Sequence, residues 1–112
     1  MTKKVFVMRG IQGSGKSTYA KMLHKCALED GMCPRIVSAD DFFIGQNGYQ
    51  FDVKKLGEAH IQCMQHFLYA LQNGFSPIIV DNTNINVEDI APYVAVSEAM
   101  GYEVIITQVN TP

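Results

Sequence analysis

Apolar residues in this chain fall into short unbroken runs separated by segments with helical spacing. Val5-Phe6-Val7-Met8 has no polar interruption, as expected of a strand buried on both faces. From Lys16 to about Asp30, Tyr19, Met22, Leu23 and Cys26 recur at helical intervals, and Gly31 supplies a stop. Arg35-Ile36-Val37-Ser38 reads as a short second strand after Pro34, followed by a loop rich in Gly, Asn and Asp that reaches Asp52. Asp52 is then the expected N-cap of a helix with Leu56, His60, Cys63, Met64, Phe67 and Leu71 on one face and Asn73-Gly74 as its end. Ile78-Ile79-Val80 makes a third strand. Asn86, with Asp89 three residues later, opens a third helix that is interrupted or restarted at Pro92 and runs to Met100-Gly101; Glu103 to Val109 is the fourth strand.

Strands alternating with helices predict an α/β fold, a parallel sheet of about four strands with helices on both faces, because right-handed crossovers demand that layering. Ligands then bind at the carboxyl ends of the strands. Polar clusters follow three of them: Gly10 to Ser17, Ser38-Ala39-Asp40-Asp41, and Asp81-Asn82-Thr83-Asn84.

The first cluster carries the strongest chemical signal. Gly10-Ile11-Gln12-Gly13-Ser14-Gly15-Lys16-Ser17 is a complete G-x-x-x-x-G-K-S phosphate-binding loop, set directly between a strand and a helix. Glycines let successive backbone N–H groups turn inward around a polyphosphate, Lys16 reaches the β- and γ-phosphates, and Ser17 offers a hydroxyl to Mg²⁺. The expected nucleotide contacts are Gly10, Gln12, Gly13, Ser14, Gly15, Lys16, Ser17 and Thr18, with ATP and Mg²⁺ as cofactors. The fold class is therefore a three-layer P-loop NTPase of kinase-like form. Asp81 ends an apolar run as a metal-holding acid would, so Ser17 and Asp81 are the expected metal residues; Asn82, Thr83 and Asn84 equally suggest a hydrogen-bonded turn.

Composition narrows what this loop serves. The chain has 112 residues, 47% hydrophobic and 18% charged, which suits a single soluble domain over residues 1–112. No apolar stretch is long enough to span a membrane and no signal peptide is evident, so the cytoplasm is the expected compartment. Cys26, Cys33 and Cys63 are odd in number and lack metal-ligand spacing; they read as small core residues, and His60 and His66 as non-ligands. All nine Lys and Arg lie within residues 1–55 against five acids, whereas residues 56–112 carry six acids and no Lys or Arg. Duplex nucleic acid, which needs many phosphate-neutralising side chains, is a poor fit; a short single-stranded end fits better.

Taken together, the phosphate loop, Asp40-Asp41 and Asp81-Asn82-Thr83-Asn84 resemble the corresponding elements of the P-loop polynucleotide 5′-hydroxyl kinase family. Ser38-Ala39-Asp40-Asp41-Phe42-Phe43, Gly48-Tyr49-Gln50-Phe51, Glu58-Ala59-His60 and Ser76 to Asn84, followed by Pro92-Tyr93, are similar to one branch in particular: the P-loop domains of animal proteins that bind a HECT-type ubiquitin ligase. The resemblance implies transfer of the ATP γ-phosphate to a 5′-hydroxyl of a polynucleotide or nucleoside-like acceptor. Lys16 and Asp40 would be the catalytic residues, Asp40 as general base; the competing role for Asp40 is a turn cap or a water-mediated Mg²⁺ contact. Asp41 is expected to cap a turn.

Two departures from the family pattern define the alternative. Phe43 stands where phage-type members carry an acceptor-binding arginine, and the chain stops after its fourth strand, with no lid arginine in residues 56–112. The alternative is a nucleotide-binding or weak ATPase module with no efficient transfer, acting through a partner; transfer would rise where a partner chain or self-association supplies an arginine. A small-metabolite kinase is a third reading. Phe42, Phe43, Tyr49 and Phe51 form an aromatic cluster whose expected role is packing, with base stacking as its functional counterpart.

Overall fold

The alternation of Val5 and Val7 with Phe6 and Met8 divides the interior in two. In the computed structural model, which describes residues 2–10, 15–82 and 87–108, these side chains point to opposite faces of one sheet and enter separate cores. The sheet comprises β1 (Lys4–Arg9), β2 (Arg35–Val37), β5 (Ile78–Asp81) and β6 (Glu103–Gln108) in the order β2-β5-β1-β6, all neighbours parallel. Helix α1 (Lys16–Glu29) brings Ala20, Tyr19 and Leu23 against Phe6, Met8, Ile36 and Ile79 on one face. Helices α2 (Leu56–Gln72) and α3 (Val87–Ala99) cover the other, where Cys63, Phe67, Leu71, Ile90 and Tyr93 meet Val5, Val7, Val37, Ile78 and Val80. The expected three-layer α/β fold with a four-stranded parallel sheet is what the chain adopts.

Between β2 and α2 lies more structure than a loop. A 3-10 turn over Ala39–Phe43 leads into a small antiparallel hairpin of β3 (Ile44–Gly45) and β4 (Gly48–Tyr49), then a second 3-10 turn over Val53–Lys55. Asp52 caps that second turn by accepting from the Lys54 backbone N–H at 3.0 Å, so α2 begins at Leu56.

Several packing expectations need correction. Cys26 and Cys33 are exposed; only Cys63 is in the core. The inward line of α1 is Lys16, Ala20 and Ala27, so Met22 and Cys26 face water. Cys33 spends its backbone instead, its carbonyl accepting from the Ser76 N–H at 2.9 Å. On α2 the buried stripe is Ala59, Cys63, Phe67, Ala70 and Leu71, leaving Leu56 and His60 exposed. Helix α3 passes through Pro92 without a break, because Pro92 and the residue one turn earlier, Glu88, are both on the solvent side, where a freed carbonyl is hydrated. Gly31, Gly74 and Gly101 follow the three helices with φ of 77°, 74° and 82°, the left-handed geometry that ends a helix at low cost. The start of α3 at Asn86 and the end of the last strand at Val109 lie outside the described residues.

Candidate phosphate-transfer site

Register brings the first and third polar clusters together. Parallel pairing sets Asp81 beside Met8, so the last residue of β5 stands next to the chain as it leaves β1 for the phosphate loop. Gly15, with φ of 88°, precedes α1 in a left-handed conformation that a side chain would strain, and no side chain caps the helix. Its carbonyl accepts the first helical bond, from the Tyr19 N–H at 3.0 Å. The amides of the opening turn have no partners within the helix, and the turn carries no acidic residue, so the positive end of α1 is left for an external anion. Gly10, Lys16, Ser17 and Thr18 lie among the described residues; Gln12, Gly13 and Ser14 lie outside them.

Asp81 joins the groups on which the phosphate reading depends. Its carboxylate pairs with the Lys16 ammonium and accepts a hydrogen bond from the Ser17 hydroxyl at 3.1 Å. Lys16 is 6% and Asp81 8% exposed, so the pair is desolvated and each charge needs the other, or a substitute.

The second cluster is carried by the 3-10 turn after β2. The Ser38 hydroxyl accepts from the Asp40 N–H at 3.2 Å, which caps the turn and leaves the Asp40 carboxylate exposed. Tyr49, returning on the hairpin, donates its hydroxyl to Asp40 Oδ1 at 3.3 Å. Asp41 belongs to the same turn, its N–H bonding to the Ser38 carbonyl at 3.2 Å. Desolvation raises its carboxyl above the ordinary value, nearby His66 opposes that rise, and the charges of Asp40 and Asp81 add to it. Asp41 is therefore more than a turn residue: it lies within the electrostatic field of both acids.

Asn82 links the two clusters, and its importance was not evident from its place in a polar tetrapeptide. Only 2% exposed, it accepts from the Ala39 N–H at 2.7 Å, so the residue following Asp81 pins the turn that carries Asp40. Its amide is braced by Cys63, whose Sγ also receives the Tyr93 hydroxyl at 3.3 Å. Burial raises the pKa of both the Cys63 thiol and the Tyr93 hydroxyl and keeps them neutral. The sequence signal for this brace is faint: a cysteine on an apolar helix face and a tyrosine after a proline.

The aromatic cluster splits in its roles. Phe43 is buried, with Phe42 edge-on at 5.2 Å and Phe51 tilted at 5.0 Å, so it packs as expected, whereas Tyr49 and Phe51 are more than half exposed. Arg35 lies at the amino end of β2, its guanidinium over the Phe75 ring at 5.4 Å and the Tyr69 ring at 6.0 Å, on the opposite side of the sheet from the loop ends. Among the described residues no helix is long and apolar enough to cross a membrane, and no group of three or more His, Cys, Asp or Glu could hold a metal ion.

This arrangement has counterparts in known proteins. Human NEDD4-binding protein 2 is 42% identical over 105 residues, which cover 94% of this chain and 6% of that protein. Among solved structures, the Pnkp1/Rnl/Hen1 complex matches with a TM-score of 0.75 at 20% identity, over 99% of this chain and 36% of the other. The Mycobacterium tuberculosis APS kinase CysC in complex with AMPPNP and APS matches with a TM-score of 0.67 at 22% identity, over 100% of this chain and 65% of the other. At those identities the two structures establish a shared fold. A family model described as an AAA domain matches residues 5–112, and the chain belongs to that family as a P-loop kinase-like member.

Proposed function

We propose that residues 1–112 form one nucleotide-binding domain that takes Mg²⁺ and ATP at the carboxyl ends of β1 and β5. It transfers the γ-phosphate to the 5′-hydroxyl of a polynucleotide or nucleoside-like acceptor, in the cytoplasm. The observation that carries this reading is Asp81, whose carboxylate holds Lys16 and Ser17 together at the uncapped start of α1 while its neighbour Asn82 fastens the turn bearing Asp40. The kinase relatives and the nucleotide analogue in the CysC structure support the same direction.

The donor set suits the ion. Mg²⁺ is commonly held by one or two protein oxygens and completes its shell with water and phosphate, and Ser17 and Asp81 supply such oxygens side by side. When bound, Mg²⁺ offsets charge on the β- and γ-phosphates. Gly10, Gln12, Gly13, Ser14, Gly15 and Thr18 complete the cradle with Lys16 and Ser17, and Lys16 exchanges its carboxylate partner for phosphate oxygens. Asp40 takes the proton of the acceptor hydroxyl as that oxygen bonds to the γ-phosphorus; the bond from the γ-phosphorus to its bridging oxygen breaks and ADP leaves.

One observation favours a second reading. An arginine at such a transition state is worth roughly 10³ to 10⁵ in rate, residues 56–112 contain none, and Arg35 is stacked on Phe75 and Tyr69 away from the site. The same site is then a nucleotide-binding or weak ATPase module with no efficient transfer, acting through a partner; an arginine from a partner chain or a second copy would raise transfer. Incubation with γ-labelled ATP and 5′-hydroxyl oligonucleotides, nucleosides or no acceptor separates the two. Label on an acceptor supports transfer, and free labelled phosphate at the same rate with every acceptor supports the second reading. Failure to bind ATP contradicts both.

A further inference from the structure

Beside the Asp40 turn is a cavity of about 500 Å³ with no part in binding the polyphosphate. Its walls are the end of the 3-10 turn, the hairpin and the segment leading to α2. That volume lies within the range of small-molecule sites, and the lining combines flat rings with groups that both donate and accept hydrogen bonds. Phe42 and Phe51 supply the rings; Gln46, Asn47 and Gln50 supply carboxamides; Lys55 supplies a cation and Asp52 a carboxylate.

We propose that this cavity holds the terminal base of the acceptor: a nucleoside with a free 5′-hydroxyl, carried as the first residue of a short single strand. The inference rests on the reading of Asp40 as the base that activates that hydroxyl. Three observations converge on it. First, the 3-10 turn that carries Asp40 ends in the cavity wall, although Asp40 itself does not line the cavity. Phe42 and Phe43 follow Asp40 by two and three residues, and the hairpin returns Tyr49 to bond the Asp40 carboxylate at 3.3 Å. A base held by the hairpin therefore has its sugar on the side where Asp40 stands.

Second, the aromatic surface is divided between support and availability. Phe43 is buried and holds Phe51 at 5.0 Å, and the Gln50 N–H bonds to the Phe43 carbonyl at 2.9 Å, which fixes the segment carrying Phe51. The Phe51 ring is nevertheless 53% exposed. A ring fixed from behind and bare in front is a stacking platform, since much of the entropy of ordering it is already spent. The carboxamides at the hairpin tip can meet a base edge with either a donor or an acceptor.

Third, charge favours a strand over a free base. Lys55 and Asp52 both line the cavity, and residues 56–112 carry no Lys or Arg. A phosphodiester leaving the cavity over Lys55 meets a cation there. A terminal nucleotide or two is the footprint that this pattern suits.

The test is equilibrium binding without ATP, using a 3′-fluorescein tetranucleotide with a 5′-hydroxyl and the same tetranucleotide with an abasic first residue. The parent chain should bind the intact strand about tenfold more tightly, in line with the energy of one base stack. Phe51→Ala should lose that preference by binding both strands equally, with the melting temperature reported alongside. Gly45→Leu is the second variant: Gly45 lines the cavity, and an added Cβ there meets nothing within 4 Å, so the new side chain starts in open space at the cavity wall. It should likewise abolish the preference. Adenosine competing as strongly as the tetranucleotide would replace the strand with a free nucleoside and overturn the single-strand part. Equal binding of intact and abasic strands by the parent chain, or an unchanged preference in both folded variants, would overturn the site. If base-dependent binding holds while no acceptor receives label from ATP, the kinase reading fails and the cavity stands; transfer without base dependence is the reverse.

Discussion

The carboxyl ends of β1 and β5 keep their charged groups buried and bonded to one another, whereas the carboxyl end of β2 presents Asp40 to water on a short 3-10 turn. Lys16 and Asp81 form a buried pair in which removing either member leaves the other unsatisfied, and Ser17 adds a hydrogen bond to Asp81. Among the described residues Asp40 has one side-chain partner, Tyr49, on a two-stranded hairpin that is itself exposed. The contrast follows from what each region must do with charge. A buried ammonium is stable only when paired, and on the proposed reading the donor half holds its cation against Asp81 until phosphate replaces it. A group that must take up a proton from an incoming hydroxyl works better within reach of solvent and acceptor. Asn82 joins the two halves, and the comparison can be broken by substitution on either side of it or at Asn82 itself.

The largest effect should come from the exposed half. Asp40→Asn keeps size and polarity while removing proton acceptance, and should lower transfer by roughly 10² to 10⁴ while ATP affinity is retained. Single-turnover rates with labelled ATP measure it, and retained transfer would assign the base elsewhere. Asn82→Ala attacks the joint. It leaves the Ala39 N–H without its acceptor in a buried setting and should cost about 2 kcal/mol in urea unfolding. Asn82→Asp keeps an acceptor oxygen but buries an unpaired carboxylate next to Asp81, and should not recover that loss at neutral pH. The smallest effect is expected at Asp41. Its carboxyl pKa is raised from 3.8 in the folded chain, so the folded state holds that proton more tightly than the unfolded one. The stabilisation from this proton is complete below about pH 3.8 and is lost as pH rises through the folded value. Asp41→Asn should therefore gain stability relative to the parent near neutral pH and not in acid, by no more than about 0.5 kcal/mol at so accessible a position. Melting curves across pH measure the difference.

Much of the donor half was legible because its parts are adjacent in sequence. Strand, glycine loop, lysine and hydroxyl occupy a continuous stretch from Val5 to Ser17, and only Asp81 had to be brought in by strand order. The sheet was legible for a related reason: each strand is an apolar run, and runs separated by helical spacing leave few arrangements. What the sequence hid depends on residues far apart. The bond from Ala39 to Asn82 crosses from β2 to β5, which become neighbours only because β5 inserts between β2 and β1. The Cys63–Tyr93 contact joins two helices across the same face of the sheet. Cys26 was misread because α1 buries alanines: Ala20 and Ala27 let the helix sit close to Met8 and Ile79, and a periodicity drawn through its larger residues points a different way. The hairpin was missed because its strands are too short for an alternation to register.

The central claim is that a polyphosphate displaces Asp81 as the partner of Lys16. Isothermal titration with Mg²⁺ and ATP tests it most directly, comparing the parent chain with Lys16→Met/Asp81→Asn. This double substitution removes both charges together and leaves neither buried alone, which Lys16→Ala would not do. The parent should bind ATP saturably, and the double variant, shown to be folded by its melting curve, should bind about a hundredfold more weakly or not at all. Equal affinity in the two folded proteins would place the nucleotide elsewhere and contradict the account.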